Sequence, residues 1–293
     1  MPSTRDIRRR IKSVRNTAQI TKAMQMVAAA KMRRAQQAAL AGRPYAALMN
    51  EVLAEASSRM TGFSHPFLQS QPVRRRAVIL VGSDRGLCGA LNSNLMREAA
   101  KFDKATTTFI TAGRKASQFI ARTKRSLAAE FTYKDTPLFA EARAISKFAQ
   151  DLFLKREVDA VDVLFTNFIT TLDLRPQSVP FLPVEKLRTV TAGVHAHAGA
   201  KDLPGGTHIP FFFEPDEETV LGAMLPHSLN FHIYQILLEA KASEQSARMV
   251  AMKNATDNAM QLIKDLTLEY NKLRQSNITK ELLEIASAQM AVG

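Results

Sequence analysis

A glycine-rich segment at residues 82–92 has the residue types that hold phosphate groups in nucleotide-binding proteins. Gly82, Gly86 and Gly89 follow a short apolar run, 77–81, and precede a predicted helix that starts near Asn92. In Rossmann-like domains, backbone N–H groups at such a helix N-terminus bind phosphate. The spacing here is G-x-x-x-G-x-x-G, which differs from G-x-G-x-x-G, and the segment lacks the G-K-[ST] of a Walker A loop.

We therefore interpret the segment as a tight strand-to-helix turn that faces a partner surface, with nucleotide binding as the alternative. The residues predicted to face this partner are Asp84, Arg85, Gly86, Cys88 and Gly89. Cys88 has no histidine near it in sequence, so we predict a semi-buried thiol rather than a nucleophile. Because it is the single cysteine, no internal disulfide is possible, which favours a reducing compartment.

The histidines give the only other candidate for chemistry, a metal site. His195, His197 and His208 are close in sequence, but no cysteine or carboxylate falls beside them at ligand spacing. We interpret residues 187–209 as a loose, solvated loop. We expect no catalytic residue, no metal and no cofactor in this chain.

The elements that position the turn form an alternating α/β pattern. Strands are predicted at 77–81, 106–111, 160–169 and 178–184, and helices from about 92, at 114–122 and along an apolar face at 138–152. This alternation predicts a small parallel or mixed sheet with helices packed on it. We place this Rossmann-like domain at residues 75–212.

Two long helices are predicted at the ends of the chain. Residues 3–41 and 227–292 contain neither glycine nor proline, and the second stretch reaches about 100 Å if it is helical throughout. Ile7, Ile11, Val14 and Ala18 step by 4, 3 and 4, as do Leu262, Leu266, Glu269 and Leu273. The fold class is therefore α/β, with a long antiparallel coiled coil of helices at 1–60 and 213–293 and the sheet domain inserted between them.

The middles of these helices use small and flexible residues. No Leu, Ile or Phe occurs from Thr21 to Ala39 or from Glu239 to Gln261, where alanine and methionine dominate. Alanine allows helices to approach closely, and methionine adapts to varied surroundings. We infer a thin helix pair that lies inside, or slides against, another molecule; an ordinary solvent-exposed helix is the alternative.

The charge distribution indicates an acidic partner. Residues 1–43 contain eleven Lys or Arg and one acid, whereas the net charge of the whole chain is +13. Nucleic acid suits this charge, but residues 1–43 contain no aromatic side chain that could stack on bases. Leu, Phe and Trp, which an interfacial lipid-binding helix uses, are missing from the apolar face. An acidic protein surface is favoured, and a nucleic-acid-binding coiled coil and a nucleotide-using enzyme remain the alternatives.

Four motifs resemble the gamma subunit family of F-type ATP synthases, in its bacterial form. They are ITKAMQMVAAAKM at 20–32, SDRGLCG at 83–89, ASEQSARMVAMKNATDN at 242–258 and YNKLRQSNITKEL at 270–282. The motifs occur in the family's order and span nearly the whole chain. The loop at 187–209 is the part least similar to the family.

The resemblance implies a rotor subunit that is not itself catalytic. It implies a coiled coil inside a ring of three alpha and three beta subunits, and a foot on the epsilon subunit and the membrane c-ring. It also implies a peripheral location on the cytoplasmic face of the bacterial inner membrane. The residues it assigns to contacts with beta subunits are Lys22, Met24, Arg248, Arg274, Gln275 and Thr279.

Overall fold

The computed structural model describes residues 3–59, 65–184 and 211–292. The chain divides into two compact units, one formed by Ala29–Arg248 and the other by Met1–Ala28 with Met249–Gly293. Because this division cuts through both long helices, the functional boundaries at 1–60, 75–212 and 213–293 stay a prediction. The histidine-containing loop at 187–209 lies outside the described residues.

Both long helices are present and extend beyond the glycine- and proline-free stretches. Helix α1 covers Thr4–Arg59 and contains Pro44, and the last helix, α5, covers Glu217–Val292 and contains Pro226. Proline removes one helical hydrogen bond. Around Pro226, the fully buried Leu221, Leu225 and Leu229 hold the helix in place, so packing overrides the local penalty.

Between these helices lies the α/β sheet that the sequence predicts. The elements are β1 (Arg76–Val81), α2 (Leu91–Ala100), β2 (Thr107–Ala112), α3 (Arg114–Arg122), β3 (Ser126–Phe131), α4 (Phe139–Leu154), β4 (Ala160–Phe168) and β5 (Leu174–Leu182). The strand order is β3-β2-β1-β4-β5, in which β4 and β5 pair antiparallel and the other neighbours pair parallel. This order is that of a doubly wound sheet with an antiparallel edge strand.

Two differences from the sequence prediction occur at the sheet edges. Strand β3 was not predicted, because its side chains are mostly exposed and it lacks a continuous apolar run. Strand β5 begins at Leu174, four residues before the predicted start. It includes Pro176 and Pro180, which an edge strand tolerates because one side of its ladder is unpaired.

The sheet is covered on both faces. Along β1, Ala77, Ile79 and Val81 point into one core, which contains α4, residues 46–56 of α1 and residues 221–240 of α5. Val78 and Leu80 point into the other core with α2 and α3. Burial on both faces explains why β1 is a continuous apolar run rather than an alternating one.

The unit formed by residues 1–28 and 249–293 is an antiparallel helix pair. Arg8 pairs with Tyr270 and Thr21 pairs with Thr256, so residue numbers rise along α1 where they fall along α5, and the two helices are antiparallel. The buried positions on α1, Ile7, Ala18, Thr21 and Ala28, lie on the predicted seam or continue it. Alanine at two of these positions lets the helices approach closely.

On α5 the predicted seam is correct at Leu266, which is buried, and at half-buried Leu273, but it is wrong by one residue at Leu262 and Glu269. Leu262 is 46% exposed and Glu269 is exposed, whereas Met252, Thr256, Ala259 and Leu266 are buried. Half-buried Ile263 and Tyr270 continue the seam between them. A shift of one position turns a side chain by about 100° around the helix, so Leu262 faces outward. Among the described residues, no helix combines the length and hydropathy needed to cross a membrane.

Candidate functional site

The candidate site is the carboxyl edge of the sheet, where β1 and β4 end side by side. In doubly wound sheets the chain leaves these two strands in opposite directions, and the crevice that opens between them binds ligands. The turn after β1 is the glycine-rich segment of the sequence. The site therefore contains the residues that suggested nucleotide binding.

Helix α5 of the same chain occupies this edge. The Ser243 hydroxyl donates a hydrogen bond to the Thr166 carbonyl on β4 at 2.9 Å, and the Ser246 hydroxyl donates to the Thr171 carbonyl at 3.0 Å. Arg248 donates to the backbone carbonyl of Gly86 in the turn after β1 at 3.2 Å. One helical segment thus bonds to β4, to the segment after β4 and to the turn after β1, at the edge where doubly wound sheets bind ligands.

The turn itself is rigidly held from within. Asn92 donates to the Ser83 hydroxyl at 2.7 Å and to the Cys88 sulfur at 3.2 Å, and Ser83 donates to the Arg85 carbonyl at 2.8 Å. The Arg114 backbone N–H donates to the Asp84 carboxylate at 3.0 Å. The turn's carbonyls, rather than a row of free N–H groups, meet Arg248, so the local polarity suits a cation and not a phosphate.

Glycine is required where two turns touch. A side chain at Gly113, which has φ +104°, would collide with the Gly82 carbonyl, and a Cβ at Gly82 would lie 3.0 Å from that of Ala116. The β1 and β2 ends therefore pack directly on each other. Gly86 and Gly89 have open space around them instead, and Gly89 has φ +58°, so its role is conformational.

Arg248 is buried, with 8% of its surface exposed, although the sequence resemblance assigns it to a partner contact. It pairs with Glu244 at 2.7 Å and also donates to the Arg85 carbonyl at 3.3 Å. Cys88 is buried beside it. Burial raises the pKa of the Cys88 thiol, and the positive charge of Arg248 opposes this only in part. The thiol form is therefore favoured over the thiolate.

The other predicted contact residues lie on the helix pair. Lys22 is exposed and Met24 is half-buried, and Arg274, Gln275 and Thr279 are all exposed. The Thr279 hydroxyl donates only to the Gln275 carbonyl one turn earlier. In the turn after β1, Arg85 and Gly89 are exposed and Asp84 and Gly86 are half-buried. The site residues thus fall into two groups, one at the sheet edge and one on the helix pair.

The helix pair has many large apolar side chains that are exposed. Among its described residues, ten large apolar side chains are each at least 45% exposed. They are Ile20, Met26, Val27, Met260, Leu262, Leu268, Ile278, Leu282, Leu283 and Ile285. Ten such side chains on one helix pair indicate that it contacts a partner.

Sequence reasoning missed the polar residues that dock α5. Lys241, Ser243, Glu244 and Ser246 are buried against the sheet edge. The signal was the stretch 239–261 without Leu, Ile or Phe, which the sequence analysis attributed to an external partner. For residues 241–248 the partner is the chain's own sheet. No cluster of three or more metal-ligating side chains occurs in the part of the chain that the structure describes.

These features define a class of protein: one with an antiparallel helix pair and a Rossmann-like unit, in which a long helix of the same chain bonds to the edge of the sheet where such domains bind ligands. A family model described as ATP synthase matches residues 3–292. The chain is 47% identical to an ATP synthase gamma chain of Opitutus terrae over 99% of both chains. It is 43% identical to that of Methylacidiphilum infernorum over the full length of both.

The fold is also that of solved structures. A chain from the Euglena gracilis mitochondrial ATP synthase, in a structure of OSCP, F1 and the c-ring, matches with a TM-score of 0.66 at 18% identity. That match covers 99% of this chain and 94% of the other. A chain from the Tetrahymena thermophila central stalk and c-ring matches with a TM-score of 0.58 at 23% identity, covering 80% and 99%. The chain belongs to the ATP synthase gamma chain family.

Proposed function

We propose that this chain is the central-stalk rotor subunit of a bacterial F-type ATP synthase. It couples proton-driven rotation of the c-ring to conformational cycling of the catalytic sites on the beta subunits, and it catalyses no reaction itself. The observation that carries the proposal is the exposed apolar surface of the helix pair, on a chain that matches gamma chains over its full length.

The helix pair is thin and has adaptable side chains, which suits a subunit that turns against several different neighbours. Its seam is made of alanine, threonine and single large residues, so the pair is thin, and its outward side chains include methionine and leucine. Such side chains make adaptable contacts of similar strength with several different neighbours. A rotor inside a ring of alpha and beta subunits needs this property, because strong specific contacts at one angle oppose the next step.

Coupling follows from the asymmetry of the shaft. At each angle the helix pair presents a different surface to each beta subunit, so each catalytic site favours a different conformation. This is a population shift caused by differential contact with the two states of a site. We assign the direct contacts to Lys22, Met24, Arg274, Gln275 and Thr279, and we assign buried Arg248 to holding the turn at 84–89.

The proposed partners are the alpha3-beta3 ring around the helix pair, and the epsilon subunit and the c-ring at the sheet unit. The chain is then peripheral on the cytoplasmic face of the inner membrane. The basic charge of residues 1–43 suits acidic loops of the beta subunits. Nucleic acid is not an expected partner.

Co-purification from native membranes tests the proposal. We expect the tagged chain to recover alpha, beta and epsilon chains with ATPase activity, at about one copy per three beta subunits, as the family's ring requires. The isolated chain should hydrolyse no ATP above background. Recovery of nucleic acid, or ATP turnover by the pure chain, would overturn the proposal.

A further inference from the structure

Five charged side chains of alternating sign form a continuous ladder inside the Ala29–Arg248 unit. Lys31 on α1 contacts Asp135 at 2.5 Å, and Asp135 contacts Lys241 on α5 at 3.3 Å. Lys241 pairs with Glu244 at 3.0 Å, and Glu244 pairs with Arg248 at 2.7 Å. The ladder therefore links α1, α5 and the segment between β3 and α4, and it ends on the turn after β1.

The inner half of the ladder is deeply buried. The side chains of Lys241 and Glu244 are 3% and 4% exposed. Burying charges is costly, and apolar residues of the same volume often stabilise a fold as well or better. A buried ion pair is therefore weak evidence for stabilisation, and fixing one register is the best attested use of such groups.

Neighbouring contacts reinforce a single arrangement. The Lys241 ammonium lies 5.3 Å from the centre of the Tyr133 ring, and the Tyr133 hydroxyl donates to the Gly82 carbonyl at 3.0 Å. The hydrogen bond from Lys31, together with the charge of Lys241, lowers the pKa of Asp135 to about 2. The carboxylate is therefore ionised at physiological pH, and both lysines keep their partner.

We propose that this ladder is the joint that fixes the rotational setting of α1 and α5 on the sheet and carries torque between them. The inference rests on the rotor function proposed above. The hydrophobic effect itself has no preferred direction, whereas ion pairs and hydrogen bonds depend on distance and angle and so add a directional constraint to the packing. The ladder thus resists rotation of the long helices against the sheet, and α1 and α5 continue without a break from this unit to residues 4 and 292.

The Lys31–Asp135 pair, at the exposed end of the ladder, allows the proposed role to be tested apart from simple stabilisation. The side chains of Lys31 and Asp135 are 38% and 55% exposed, so loss of their pairing costs the fold little. After Asp135→Asn, Lys241 still pairs with Glu244, and no buried charge loses its last partner. The variant should therefore fold and assemble, while the ion pairs that connect α1 to α5 through Asp135 are lost.

The test uses the complete ATP synthase in inverted membrane vesicles, with ATP hydrolysis and ATP-driven proton pumping measured on the same preparation. We expect Asp135→Asn to keep wild-type ATPase activity and assembly, and to lower the protons pumped per ATP about twofold through slippage at the joint. Asp135→Glu should restore the ratio. The matched control is Glu98→Gln, which neutralises an exposed acid that pairs with Lys101 of the same helical end and joins no two elements.

The outcomes are distinct. A reduced ratio in Asp135→Asn alone, with recovery in Asp135→Glu, supports the joint. An unchanged ratio, or an equal loss of ATPase and pumping together with assembly, overturns it. Failure of the wild-type complex to pump at all overturns the rotor function instead, so the two proposals fail by different results.

Discussion

The hydroxyl oxygens of Thr21 and Thr256 lie 2.7 Å apart in the buried seam of the helix pair. Each oxygen also contacts a carbonyl of its own helix, that of Ala18 or Met252. Since each hydroxyl has a single hydrogen, one threonine donates to the other and the second donates to its own helix, and the bond between the helices forms only when these two residues face each other. In a seam with few large apolar side chains, such a pair specifies one register among several of similar packing energy.

This pair should show strong energetic coupling. We expect Thr21→Val and Thr256→Val each to destabilise the helix pair by about 1 kcal/mol, because each leaves one buried hydroxyl with a lost partner. The double variant should cost less than the sum of the two. Hydrogen exchange of the amides in residues 14–28, measured in the wild type, the two single variants and the double variant, gives these free-energy differences.

Thr267→Val serves as its control, since the Thr267 hydroxyl donates only to the Ile263 carbonyl of its own helix. This variant should change exchange in residues 14–28 very little. Strict additivity of the two seam substitutions would contradict the assigned role of the threonine pair.

Arg248→Met should loosen the turn around Cys88. The substitution removes the donors to the Arg85 and Gly86 carbonyls and leaves buried Glu244 with Lys241 as its partner. Since burial protects the thiol, we expect Cys88 to react with a thiol reagent at least about tenfold faster than in the wild type. Arg274→Met, at an exposed position of the helix pair, should leave the reaction rate unchanged.

Because the Glu239 carboxyl is buried, we expect the stability of the folded chain to fall as the pH rises. Burial raises the pKa of Glu239 from 4.5 to about 8, and the charge of Arg43 counteracts only part of this effect. Between these values the folded chain holds a proton that the unfolded chain has released, so the contribution of Glu239 to stability falls as the pH rises from 4.5 to 8.

Glu239→Gln should remove this fall. We expect the variant to be more stable than the wild type by about 3 kcal/mol near pH 9, and close to it in stability near pH 5, by urea unfolding. Glu269→Gln, at an exposed position, provides the matched control. Parallel pH profiles of the wild type and Glu239→Gln would contradict the raised pKa.

Leu282→Glu should separate folding from assembly. Leu282 is 61% exposed, so the free chain should keep its stability within about 0.5 kcal/mol. Inside the proposed ring the new charge would be buried against partner side chains, so ATPase assembly should decrease several-fold. Leu172→Glu, at an 84% exposed position of the β4–β5 connection, should affect neither property.

The sequence alone determined the element types. Long stretches without glycine and proline fixed the two end helices, since local propensity summed over many residues is decisive. The continuous apolar run at 77–81 predicted a strand buried on both faces, as β1 is. The mainly exposed edge strand β3 lacked this signal.

Tertiary structure alone decided what the polar residues do. Glycine spacing left nucleotide binding open as an alternative. The bonds of Ser243, Ser246 and Arg248 place α5 of the same chain at this edge of the sheet. Lys31, Asp135 and Lys241 are far apart in sequence, so no local pattern places their charges together. Their meeting depends on how the helices cross the sheet, because ion pairs form only where folding brings distant side chains within a few ångströms.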